Sequence, residues 1–174
     1  MLHDTCYKVM NTNSQKNNNP LAAPRLIKIV VNTGVGRIRD AKPHEEIMRD
    51  FALIIGQKPV PTLARKAVAA FKTREGMVIG YKATLRGRRM RDFFGRLINI
   101  ALPRTRDFRG IKEEALDAQG NLTVGIPEHT VFPEVDTEHS FTPFGFEISI
   151  STTAKTRDEA LAFFRNLGVP FRKM

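Results

Sequence analysis

The sequence predicts an α+β fold: a mainly antiparallel sheet with helices packed on one face and the other face left open. Three observations lead there. Several segments alternate apolar and polar residues with a period of two, the mark of strands with one solvated face. Between them lie segments whose apolar residues recur every three or four positions, the mark of helices with one buried stripe. The chain has 174 residues, 41% of them hydrophobic and 26% charged, which is enough to bury one real core.

Residues 1–24 lack apolar periodicity, and residues 11–20 read NTNSQKNNNP. This composition predicts a flexible arm, with room for a short helix near 1–10. The arm either folds on RNA or is a plain disordered tail. Residues 25–174 are expected to form a single domain. Residues 26–33 (LIKIVVNT) are a strand, with Ile27, Ile29 and Val31 on one face and Lys28, Val30 and Asn32 on the other. Gly34 and Gly36 then turn the chain. Residues 43–55 are a helix: Pro43 suits the first turn, Ile47, Met48, Phe51, Ile54 and Ile55 form one stripe, and Gly56 stops it. Residues 57–62 are a short strand, confined to an edge or a bulge by Pro59 and Pro61.

Residues 68–86 read as a long hairpin with its tip near Lys72, Thr73, Arg74, Glu75 and Gly76. In its second arm Ile79, Tyr81, Ala83 and Leu85 face one way; Gly80, Lys82, Thr84 and Arg86 face the other. Residues 88–102 are a helix with Met90, Phe93, Phe94, Leu97 and Ala101 inward, Arg89 and Arg96 outward, and Pro103 at its end. Residues 121–126 and 145–154 are strands. The second alternates Phe146, Ile148, Ile150 and Thr152 with Glu147, Ser149, Ser151 and Thr153. Thr156 and Glu159 form a capping box. It opens a helix that buries Ala160, Phe163, Phe164 and Leu167 and stops at Gly168 and Pro170.

Charge is the strongest functional signal. The chain carries 28 Lys and Arg against 18 Asp and Glu, a net +10 with pI near 10.2. Residues 65–109 hold 13 of the cations and only Glu75, Asp92 and Asp107, so that segment alone is 13 − 3 = +10. A neutral scaffold with one concentrated basic segment is built for a polyanion. The open sheet face, bearing Lys28, Asn32, Lys82, Thr84, Arg86, Ser151 and Thr153, is a platform for folded RNA. The charges of the arginine-rich helix, Arg88 and Arg89 among them, are almost all of one sign, so pairs within the helix cannot neutralise them. Phosphates can. The tip at 72–76 is a second place for contacts, carried on an exposed loop.

Other chemistries find little support. Gly34-x-Gly36 follows a strand, but Arg39 stands where a dinucleotide fingerprint needs its third glycine, and the helix starts late. His3, His44, His129 and His139 lack metal-ligand spacing, and no nucleophile motif frames a serine. No cofactor or metal is expected, and the chain reads as no enzyme. Cys6 is the single cysteine, so an internal disulfide is excluded and a reducing compartment fits. No apolar run approaches the ~20 residues of a membrane span, and no secretory signal is visible. A basic module on an anionic membrane surface is the competing reading; it would want exposed aromatic anchors, and the chain has no Trp. An RNA-processing enzyme is the third.

VVNTGVG (30–36), LIIGQKPV (53–60), AFKTREGMVIGYKATLRGRRM (70–90), LINIALPRTRDFRG (97–110) and ISTTAKTRDEA (150–160) occur in the same order in the large-subunit ribosomal protein five family. The chain resembles its bacterial and organellar branch over about 24–173, while the N-terminal segment departs from the family's longer helical one. The resemblance implies an antiparallel sheet with helices on one side and a structural ribosomal protein in the cytoplasm, within a bacterial ribosome or in an organellar one. It implies binding of 5S ribosomal RNA and its attachment to the central protuberance of the large subunit. It also implies contact with 23S ribosomal RNA, with neighbouring large-subunit proteins and with a protein of the small-subunit head, and no membrane. Motif by motif, RNA-contacting positions fall on Asn32, Gln57, Thr84 and Arg86. A loop approaching peptidyl-site transfer RNA falls on Lys72, Thr73, Arg74, Glu75, Gly76 and Met77.

Overall fold

The structure is a computed structural model and describes residues 23–36, 38, 41–135 and 142–172. The arm expected over 1–24 lies, but for its last two residues, outside them. Five strands form one sheet in the order β2-β3-β1-β5-β4. They are β1 Leu26–Gly34, β2 Val60–Leu63, β3 Val78–Leu85, β4 Leu122–Ile126 and β5 Phe146–Thr152. The helices are α1 Ala41–Ile55, α2 Gly87–Arg96 and α3 Arg157–Asn166.

Neighbouring strands run antiparallel. β2 sets Val60 opposite Lys82 and Pro61 opposite Tyr81. Past the end of β1, the Val35 amide donates to the Ile79 carbonyl at the start of β3, 2.9 Å away. The two ends of β1 meet opposite ends of β5: the Thr153 amide donates to the Arg25 carbonyl at 2.9 Å, and the Thr33 hydroxyl donates to the Gly145 carbonyl at 2.8 Å. At the start of β4 the Gly120 carbonyl accepts from the Thr152 hydroxyl at 2.7 Å. The predicted α+β architecture is therefore the one observed.

The chain packs as two compact units. The first takes the described residues through Ile29, then Arg86–Val124 and Ser149 onward. Its core holds Met90, Phe93, Phe94, Leu97 and Ala101 beside Leu122, Ile150, Ala160 and Phe164, all buried. The second takes Val30–Leu85 and Gly125–Ile148. There the α1 stripe Ile47, Phe51, Ile54 and Ile55 is buried with Val31, Tyr81, Ala83, Phe146 and Ile148. Phe51 lies 6.4 Å from both Phe144 and Phe146, so α1 lies over this face of β5. Each fully buried Val, Leu, Ile, Phe or Met side chain among these contributes about 1.5–3 kcal/mol. The period-two pattern thus becomes a dry face and a wet face on every inner strand.

Several local expectations change. The first arm of the hairpin is β2, not residues 68–72, because residues 65–72 are all exposed and offer no alternation to pair with β3. Pro59 and Pro61 do confine that arm: β2 is an edge strand, and its register shifts between Thr62 and Leu63. Pro103 does not stop the second helix. A π turn at Leu97–Ala101 leads into a last turn at Leu102–Arg104, so the wider ladder accommodates a residue with no amide to donate. Gly80 is buried, since a Cβ there would stand 2.6 Å from the Thr33 carbonyl oxygen. Ile27 is 42% exposed and Lys28 is half-buried. Ile27 borders a hollow of about 320 Å³ with Leu26, Met90, Phe163 and Leu167, which also leaves Phe163 and Leu167 only half-buried.

Candidate nucleic-acid interface

In the second unit, β1 and β3 lie side by side and present Asn32, Lys82 and Thr84 as exposed positions. Alternation puts them there: their neighbours Val31, Thr33, Tyr81, Ala83 and Leu85 are each at most 6% exposed. Gln57 joins them from the turn after α1, where Gly56 takes φ +73° and ends the helix. Its side-chain amide donates to the Thr84 carbonyl at 3.5 Å. Gln57 and Thr84, 27 positions apart in sequence, are thus held together. A shallow hollow of about 480 Å³ extends from Asn32 over Gly34, Gly125, Gly145 and Glu147. At Gly34 and Gly125 a Cβ would meet nothing within 4 Å. The strand backbone is bare there, and another backbone can come close.

The connection from β2 to β3 spans residues 64–77. Its base is tied by the Ala64 amide to the Met77 carbonyl (2.8 Å) and the Gly76 amide to the Ala64 carbonyl (3.0 Å). Farther out, Val68 and Thr73 exchange two backbone bonds of 3.1 and 3.2 Å around a short 3-10 turn, Ala69–Phe71. Lys72, Arg74, Glu75 and Gly76 are exposed, while Thr73 and Met77 are half-buried. The tip is therefore shaped by its own backbone, with its cations in solvent.

In the first unit, Arg86, Arg88 and Arg89 are exposed at the start of α2. Arg88 reaches Asp92 at 3.8 Å with both side chains largely in solvent, a pair worth little. On β5 Ser151 is half-buried. Thr153 lies just past that strand; its hydroxyl accepts from the Arg25 amide at 2.8 Å, so it also ties down the start of β1. Of the 13 cations in 65–109, only Arg96 is even half-buried.

The histidines have structural surroundings. His44 sits between the Tyr81 hydroxyl (3.2 Å) and the Ile38 carbonyl (3.0 Å). Burial raises the Tyr81 pKa above its ordinary value. His129 stacks on Phe144, with ring centroids 4.2 Å apart and planes 9° from parallel. Its Nδ1 accepts from the Phe144 amide at 3.4 Å. Burial pushes its pKa below the usual histidine value, against the nearby charges of Asp50 and Glu128. Among the described residues no group of His, Cys, Asp and Glu is arranged to hold a metal. Nor is any helix among them long and apolar enough to cross a membrane.

Residues 19–74 match the family model described as ribosomal protein L5, and residues 78–171 match the model of that family's C-terminus. The chain belongs to the ribosomal protein L5 family. As an L5-family member it is a ribosomal protein, structural and not enzymatic. Large ribosomal subunit protein uL5 of Syntrophomonas wolfei is 50% identical over 155 residues, 88% of this chain and 87% of that protein. The uL5 of Halothermothrix orenii is 47% identical over 156 residues, covering 89% and 87%. That of Limosilactobacillus fermentum is 47% identical over 154 residues, covering 88% and 86%. These relatives are bacterial, and the L5 similarity runs through both units.

Sequence reasoning missed two features of this L5-family chain. Phe71 is 77% exposed at the loop tip, although it ends the apolar run AVAAF. Its only signal was its place beside a turn, where no periodicity could assign it a face. The buried pair of His129 and Phe144, 15 positions apart, left no sequence signal at all.

Proposed function

We propose that this structural constituent of the large ribosomal subunit binds 5S ribosomal RNA and attaches it to the central protuberance, also touching 23S ribosomal RNA. Residues 25–174 act together as the RNA-binding domain. Asn32, Gln57, Lys82 and Thr84 contact the RNA from the second unit; Lys28, Arg86, Arg88, Arg89, Ser151 and Thr153 do so from the first. The loop at 72–77 meets transfer RNA in the peptidyl site, and further surfaces meet neighbouring large-subunit proteins and a protein of the small-subunit head.

The observation that carries this reading is the exposed row Asn32, Lys82 and Thr84, backed by Gln57 and flanked by bare glycine backbone. Short polar groups with two-way hydrogen-bonding capacity suit the 2′-hydroxyls and base edges of folded RNA. The surrounding cations suit its phosphates. The curated relatives named above carry the large subunit in their names, which supports the same reading. The test is to pull down the tagged full chain from bacterial cells after dissociating the ribosomes, and to size the co-purifying RNA. Discrete 5S RNA is expected; lipid without RNA, or an RNA pool with no 5S species, would overturn the proposal.

A further inference from the structure

Phe71 has the largest exposure of any large apolar side chain among the described residues, at 77%. It is not exposed by looseness. The two bonds between Val68 and Thr73 close the tip, the Lys72 amide returns to the Ala69 carbonyl at 3.0 Å, and Lys72 itself takes the left-handed conformation with φ +52°. That turn fixes the direction in which the ring leaves the backbone. Residues 65–72 contain no buried side chain, so the tip has no core that could take the ring in.

What surrounds the ring narrows its partner. Arg65, Lys66, Lys72 and Arg74 stand in solvent in this segment, against the single acid Glu75. A hollow of about 460 Å³ at the tip is lined by Ala69, Lys72, Thr73, Arg74 and Met77, within the range of sites that take small groups. A flat exposed ring in a segment of exposed cations matches a ligand that is itself flat, apolar on its faces and anionic at its edge. A nucleotide has that combination.

We propose that Phe71 is a stacking platform for one unstacked RNA base, and that Lys72 and Arg74 hold the phosphate of the same nucleotide. The inference rests on the RNA-binding reading of the tip given above. It adds a second kind of contact there: phosphate pairing alone has no use for the ring, while stacking has no use for the charge. Any base can stack, so the platform tolerates sequence and requires only that the base be turned out of its helix.

The probe is an RNA hairpin whose flexible loop carries a single 2-aminopurine, titrated with the full chain. Binding should quench the 2-aminopurine fluorescence through stacking. Phe71→Ala should weaken binding by roughly 5- to 140-fold, the range of one lost base stack, and abolish the quench. Its salt dependence should not change, since no phosphate contact is lost. Phe71→Trp should keep affinity and quench. Phe71→Leu should behave as Phe71→Ala, because it keeps apolarity and loses the ring face. Lys72→Ala with Arg74→Ala should instead flatten the salt dependence. A Phe71→Leu chain that binds like the parent would overturn the proposal and make the ring an apolar contact for a protein. Phe71→Ala binding with unchanged affinity and quench would overturn it too. If the parent chain does not bind the hairpin at all, the RNA reading of the tip fails, and the platform with it. Circular dichroism should show every variant folded, as the ring is outside both cores.

Discussion

Asn32 and Thr84 occupy exposed positions on adjacent strands, so their side chains can be changed without opening the core. Asn32→Ala and Thr84→Val should each weaken 5S RNA binding by about 1 kcal/mol, the value of one ordinary hydrogen bond, with unfolding midpoints in urea unchanged. A large loss of stability in either would make the side chain structural. Gly80 is the opposite case. Gly80→Ala puts a methyl group 2.6 Å from the Thr33 carbonyl oxygen. Strands β1 and β3 must then move apart, costing about 1–3 kcal/mol, readable as a lower urea midpoint. His129 gives a pH prediction. Burial lowers its pKa in the folded chain, so below about pH 6.5 the unfolded chain takes up the proton first. Stability should therefore be level above that pH and fall as pH drops below it, by at most about 1.4 kcal/mol per pH unit from this group. Urea unfolding across pH should show the fall, and His129→Phe should be less stable near neutrality but lose that part of the slope.

At the level of elements, α3 was readable to its first residue because its start is chemical. The Thr156 hydroxyl accepts from the Glu159 amide at 3.3 Å, and the Glu159 carboxylate accepts from the Lys155 amide at 3.1 Å. Thr156→Ala should cost about 1 kcal/mol of stability, measured as a shift of the urea midpoint. The inner strands were equally readable, since a wet and a dry face leave a period of two in the sequence. The loop between β2 and β3 was not. Its shape comes from backbone bonds between Val68 and Thr73 and a left-handed Lys72, which no side-chain pattern encodes. The end of α2 was misread for a related reason: Pro103 signals a stop, but the π turn before it changes which carbonyls need a donor. The loop should act separately from the strand face. Lys72→Ala with Arg74→Ala should leave 5S RNA affinity nearly unchanged in filter binding. The same change should weaken transfer-RNA retention on reconstituted ribosomes, most visibly at raised salt, where the remaining contacts are screened.

For the molecule as a whole, the readable part was the charge. A net +10 concentrated in residues 65–109 keeps every one of its cations but the half-buried Arg96 exposed, within reach of a polyanion. What the charge could not reveal is which residues sit together. Gln57 meets Thr84 because α1 delivers the turn after it to β3, a consequence of packing the Phe51 stripe and not of local sequence. Nor could composition alone mark Phe71 as a surface residue, since exposure at a tip is decided by the absence of anything to pack against. On the proposed reading, exposed cations supply affinity while the polar strand face supplies selectivity for 5S RNA. The direct measurement is filter binding of the full chain to 5S ribosomal RNA, and to an unrelated structured RNA of similar length, over a series of salt concentrations. With roughly six phosphates neutralised, both log–log slopes should be about −4 to −5, and 5S RNA should bind more tightly at every salt. A slope near zero, or equal affinity for the two RNAs throughout, would contradict it.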